Sequence, residues 1–87
     1  MTREPDVTVH DFTLVYALDP GMGSQEDVLR RLANSDCADA TVGWGRTEHI
    51  GLAFSRKAIE RDAAIKLAVA QVAQALPGAA LVRVDTA

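Results

Sequence analysis

The stretch Ala40-Thr41-Val42-Gly43-Trp44-Gly45-Arg46-Thr47-Glu48-His49-Ile50-Gly51-Leu52-Ala53-Phe54 decides the fold. Residues 40–44 form a short strand segment with Thr41 and Val42 at its centre. Ile50, Leu52 and Phe54 then alternate with Gly51 and Ala53, the period of two expected of a strand. The loop between them, Gly45-Arg46-Thr47-Glu48, is short, so the two strands pair antiparallel.

Working outward, residues 7–18 read as a first strand, with Phe12, Leu14, Tyr16 and Leu18 alternating with Thr13, Val15 and Ala17. Asp19-Pro20-Gly21-Met22-Gly23 breaks it. Ser24 is a helix N-cap whose hydroxyl can accept from the Asp27 amide, and Glu26 and Asp27 suit the positive end of the helix dipole. That helix runs over about 25–34, with Val28, Leu29 and Leu32 on one apolar face. Downstream, residues 60–76 form a second helix. Its apolar stripe is Ile65, Ala68, Val69, Val72 and Leu76, and it is rich in alanine (Ala63, Ala64, Ala68, Ala70, Ala73, Ala75). Pro77-Gly78 stops it, and residues 80–84 form the last strand.

The order strand–helix–strand–strand–helix–strand, with one-sided strands and one-sided helices, predicts an α+β ferredoxin-like βαββαβ two-layer sandwich. Its antiparallel sheet should have the order 4-1-3-2, with both helices on one face and strands one and three central. The expected core joins Phe12, Leu14, Tyr16, Ile50, Leu52 and Phe54 to Val28, Leu29, Leu32, Ile65, Val69, Val72 and Leu76.

With 87 residues the chain is one domain, 7–87, preceded by residues 1–6, which are polar, contain Pro5 and are expected to be flexible. No apolar run approaches the roughly 18 residues of a membrane span, and no signal peptide is visible. Cys37 is the sole cysteine, which excludes an internal disulfide, leaves an intermolecular one open, and fits a reduced thiol in a cytoplasmic protein. The net charge of −3, with the cations scattered among twelve acids, disfavours direct nucleic-acid binding. One basic patch around Arg56, Lys57 and Arg61 stands against that.

Val28 to Val84 carries a pattern of Cys37-Ala38-Asp39-Ala40-Thr41-Val42-Gly43, Gly45-Arg46 and Leu52-Ala53-Phe54-Ser55-Arg56, then an Ala-rich helix ending in Pro77-Gly78-Ala79. This resembles the N-terminal ferredoxin-like domain of a family of small bacterial helix-turn-helix proteins labelled as DNA-binding. The chain departs from that family at Asp36, where the family has glycine, and at Glu60, where it has a serine cap. The family continues past the last strand into a helix-turn-helix, whereas this sequence stops at Asp85-Thr86-Ala87. The resemblance therefore implies the N-terminal module, with self-association or partner binding as its work, and not DNA reading.

No residue cluster announces catalysis. Cys37 lies between Asp36 and Asp39, whose carboxylates disfavour a thiolate, and reads as a small half-buried turn residue. His10 and His49 lack the spacing of metal ligands, and no cofactor is expected. Pro20-Gly21-Met22-Gly23-Ser24 could suggest a phosphate loop, but Glu26 and Asp27 would repel a phosphate, so a turn and N-cap explain it.

Three features point to binding. Trp44, near the hairpin tip beside Arg46, is either core-edge packing or an interface anchor. The open sheet face should show Thr13, Val15, Ala17, Thr41, Gly43, Gly51 and Ala53, a flat and barely charged surface. Acids including Asp36 and Asp39 concentrate toward the N-terminal half, where they could mimic phosphates. The partner-binding candidates are thus Trp44, Arg46, Thr13, Val15, Thr41, Asp36 and Asp39. The expected function is a non-enzymatic interaction module whose partner is a protein or itself, as a homodimer through the sheet face or an edge strand. An alternative is a small acidic phage-type inhibitor, anti-CRISPR-like, that blocks a nucleic-acid-binding complex. A second alternative, an acylphosphatase-like enzyme, is disfavoured by the acidic loop after strand one.

Overall fold

A computed structural model describes residues 7–46 and 48–86 of the chain. The N-terminal segment expected to be flexible (1–6), Thr47 of the hairpin loop and Ala87 lie outside the described residues. The elements follow in the order β1 (Thr8–Ala17), a 3-10 turn (Pro20–Met22), α1 (Gln25–Ala33), β2 (Thr41–Trp44), β3 (His49–Ala58), α2 (Arg61–Ala75) and β4 (Ala80–Thr86). The four strands form one antiparallel sheet in the order β2-β3-β1-β4, the predicted 4-1-3-2 read from the other edge. This α+β arrangement is compatible with a ferredoxin-like fold.

Two strands outrun their sequence limits. β3 continues past Phe54 because residues 55–58 pair with residues 8–11 of β1, beyond the reach of β2 and β4. β4 continues to Thr86 because Asp85 and Thr86 pair with Thr13 and Phe12. The β1–β4 register slips between Val15 and Tyr16, whose partners are Arg83 and Leu81, so Val82 is the extra residue of a bulge.

The sheet buries one side. Phe12, Leu14 and Tyr16 of β1 and Ile50, Leu52 and Phe54 of β3 are buried, and the Phe12 and Phe54 rings stack at 5.5 Å between centroids. They form a single core with Met22, Val28, Leu32, Cys37, Ala64, Ala68, Val72 and Leu76. The α1 cap forms as expected: the Ser24 hydroxyl accepts from the Asp27 amide at 3.2 Å, and the Asp27 carboxylate accepts in return from the Ser24 amide at 3.1 Å.

Three core expectations need correction. Leu29 is 40% exposed, because Val28 and Leu32, four residues apart, take the buried row of α1 and turn Leu29 off it. Ile65 and Val69 are only partly buried, and Ala64 and Ala68 occupy the central row of α2 with Val72. Cys37 is fully rather than half buried.

Candidate interaction surface

The alternation of β1 and β3 places Thr13, Val15, Gly51 and Ala53 on the face opposite the core, and the β2 register adds Thr41 and Gly43. Across the sheet these make two rows, Asp85–Thr13–Ala53–Thr41 and Arg83–Val15–Gly51–Gly43. Thr13, Val15 and Thr41 are therefore brought together, as expected. The face is more charged than its small residues suggest, because β4 supplies Arg83 and Asp85 and β1 supplies Asp11.

A groove of about 530 Å³ opens on this face, with Asp11, Asp39, Asp85, Thr13, Thr41 and Ser55 in its lining. A free carboxylate array here would suit a phosphate mimic. These carboxylates are already engaged. Asp11 accepts from the Ser55 hydroxyl, Asp39 from the Arg56 guanidinium at 2.9 and 3.1 Å, and Asp85 from Arg83 Nε at 3.1 Å.

The Arg56 contacts form the most elaborate polar cluster among the described residues. The side chain is 13% exposed. Its Nε and Nη2 make a bidentate pair with Asp39, Nη2 also donates to the Asp36 carbonyl at 3.1 Å, and Nη1 donates to Gln71. The guanidinium carbon stands 4.5 Å from the Phe54 ring centroid. The hydrogen bond from Arg56 holds the Asp39 carboxyl below its ordinary pKa. The expected Arg56–Lys57–Arg61 patch does not form around this residue. Neighbouring strand positions point to opposite faces, so Arg56 lies on the core-bearing side and Lys57 on the other. Asp36 and Asp39 thus sit together in the α1–β2 connection, where Asp39 is an anchor for Arg56 and Asp36 contributes its backbone. Next to them, burial pushes the Cys37 thiol pKa up, more than the neighbouring carboxylates do.

Trp44 pairs with Ile50 and lies on the core-bearing side, so it does not share a surface with Thr13, Val15 and Thr41. It is partly buried and packs against the core, which is the core-edge reading. With Leu18, Met22, Val28 and the exposed Arg46 it lines a pocket of about 330 Å³ between the β2–β3 hairpin and the loop after β1. That loop makes a poor phosphate cradle. Its Gly21 amide donates to Asp19 Oδ1, its Met22 amide to the Asp19 carbonyl and its Ser24 amide to Asp27 Oδ2. His10 donates from Nε2 to the Ala58 carbonyl at 3.1 Å, while His49 pairs with Ala17 at the far end of the same ladder. No group of three His, Cys, Asp or Glu among the described residues is placed to hold a metal. No helix among them is long and apolar enough to cross a membrane.

The last strand lies where the sequence predicts it, but the partner-binding candidates read from the sequence leave β4 out. This strand is exposed at every position and lies at the sheet edge. Val84 and Leu81 pair with Leu14 and Tyr16 and therefore belong to the core-bearing side, yet they remain 36% and 43% exposed. Val82, at the bulge, is 50% exposed. The run Ala80-Leu81-Val82-Arg83-Val84 carries the signal: its consecutive apolar residues lack the in–out alternation of a half-solvated strand, yet the strand lies uncovered at an edge.

No protein-family model, no curated protein and no solved structure matches the chain.

Proposed function

We propose that the chain is a ferredoxin-like two-layer sandwich, both helices on one face of its sheet, that works as a non-enzymatic interaction module and self-associates through β4. One observation carries this: β4 presents Leu81, Val82 and Val84 to solvent along a sheet edge that no other described residue pairs. Edge strands usually carry devices against pairing, such as shortness, charged side chains (lysine above all), proline or bulging; the two charges of β4, Arg83 and Asp85, are of opposite sign and pair with each other. β2, the other edge, is only four residues long. β4 has seven residues, no lysine and no proline, and its single bulge leaves residues 83–86 in regular register. A second copy fits this edge because two identical strands meet antiparallel around a two-fold axis, the commonest symmetry of soluble oligomers. The acid-mimic alternative is weakened by the occupied carboxylates of the open-face groove, and the acylphosphatase alternative by the occupied amides after β1.

The test is the solution mass as a function of concentration, by sedimentation equilibrium. The parent chain should rise from its 9.3 kDa monomer mass toward twice that value, and Val84→Lys should remain monomeric. A parent chain that stays at monomer mass throughout overturns the proposal.

A further inference from the structure

We infer that the β4 edge selects a single register, in which two copies pair around a two-fold axis at Val84 and Arg83 of each copy faces Asp85 of the other. This deepens the self-association proposed above and rests on it.

When two identical strands pair antiparallel with their open faces on the same side, opposed residues share a face, so the axis passes through a residue and not between two. Within the regular part of β4 the central choices are then Arg83, Val84 and Asp85. An axis at Arg83 sets two arginines directly opposite each other, and an axis at Asp85 sets two aspartates opposite, both unfavourable. An axis at Val84 sets Arg83 against Asp85 twice. It also brings Val84 onto its own copy on the core-bearing side, where that residue now faces water. Val82 then falls opposite Thr86, so the bulge lies outside the central pairs.

The two charges pair with each other within one strand and can exchange partners across the axis. Arg83 and Asp85 lie on the same face, 3.1 Å apart, with side chains 62% and 53% exposed. Two residues apart on one strand, they can pair across a dyad by small rotations. An exposed pair within one strand contributes little to a monomer, so little is lost in the exchange. The two open faces would continue into each other across the axis, as one eight-stranded sheet. The contact closes on itself, and the edge it leaves free in each copy is the short β2.

Charge reversal tests the register. Arg83→Asp should weaken self-association about tenfold, because each introduced aspartate meets an Asp85 of the other copy. Asp85→Arg should do the same with arginines. The double variant, Arg83→Asp with Asp85→Arg, should recover the parent affinity. Most tellingly, the two single variants mixed in equal amounts should form a heterodimer tighter than either homodimer, which also shows that both are folded. Equal affinity of parent and single variants, or no gain on mixing, overturns the register while leaving the self-association intact. A parent chain that never associates overturns both.

Discussion

Tyr16 is the one tyrosine in the chain, and its hydroxyl is buried with no hydrogen-bond partner among the described residues. An unsatisfied buried hydroxyl carries a desolvation cost of about 1–3 kcal/mol. Tyr16→Phe should therefore raise the stability by about 1 kcal/mol in a denaturant titration; a loss of stability would show that the hydroxyl is bonded. Burial first, and the neighbouring Cys37 second, push the Tyr16 pKa up to about 12. An unfolded tyrosine loses its proton near pH ~10. Between these values the unfolded chain binds fewer protons than the folded one, so stability should fall as pH rises above about 10. Phenolate absorbance, unambiguous with one tyrosine, should appear only near pH 12 or together with unfolding. The place of Tyr16 in the core followed from alternation with Phe12 and Leu14. Its lack of a partner did not, because that depends on what α1, α2 and the Cys37 turn bring around the ring.

The two helices show what local signals can and cannot convey. α1 has a reciprocal cap, visible in the spacing of Ser24 and Asp27. α2 begins at Glu60, whose backbone is extended as an N-cap should be but whose side chain caps nothing. Glu60→Ser should accept the free amide and stabilise the fold by about 1 kcal/mol, read as a higher denaturant midpoint with unchanged slope. No change would mean that the first turn of α2 is already satisfied. The rotation of α2 was less legible. With alanine at so many positions, the row Ala64–Ala68–Val72–Leu76 and the neighbouring pair Ile65 and Val69 both look apolar. Which of them meets the sheet depends on how closely the helix axis approaches, and alanine permits the closer approach. β4 hid its role for a related reason. A strand reveals its faces by burying one of them, and an edge strand exposed on both sides has no such pattern. The site candidates divided along the same line. Thr13, Val15 and Thr41 were placed correctly on one face by period-two counting, whereas Arg83 and Asp85 reached that face only through the long-range β1–β4 register.

Across the whole molecule, one guanidinium ties together segments that are far apart in sequence. Arg56, on the part of β3 that extends beyond β2, reaches Asp39 and the Asp36 carbonyl in the α1–β2 connection and Gln71 in α2. Among the described residues the core holds no buried charge and its Tyr16 hydroxyl makes no hydrogen bond, so this clamp at its end fixes how the connection and the helix sit against the sheet. Its strength depends on the Asp39 charge. Arg56 holds the Asp39 carboxyl below its ordinary value, and the Ser24 amide and hydroxyl hold Asp27 below its own. Both groups therefore bind fewer protons in the folded chain than in the unfolded one over the acid range. Their contribution is fully present above the unfolded carboxylate value of about 4 and is lost as pH falls through the lower folded values. The denaturant midpoint should accordingly drop below about pH 4. Asp39→Asn should lower the midpoint at neutral pH and flatten that acid slope, since the variant has no proton to take up. Asp27→Asn should flatten the slope as well, acting through the first turn of α1 alone. Because the two sites share no partner, the double variant should combine both effects nearly additively. An acid slope in Asp39→Asn as steep as in the parent would show that Arg56 packs on Phe54 and Gln71 without drawing stability from the carboxylate.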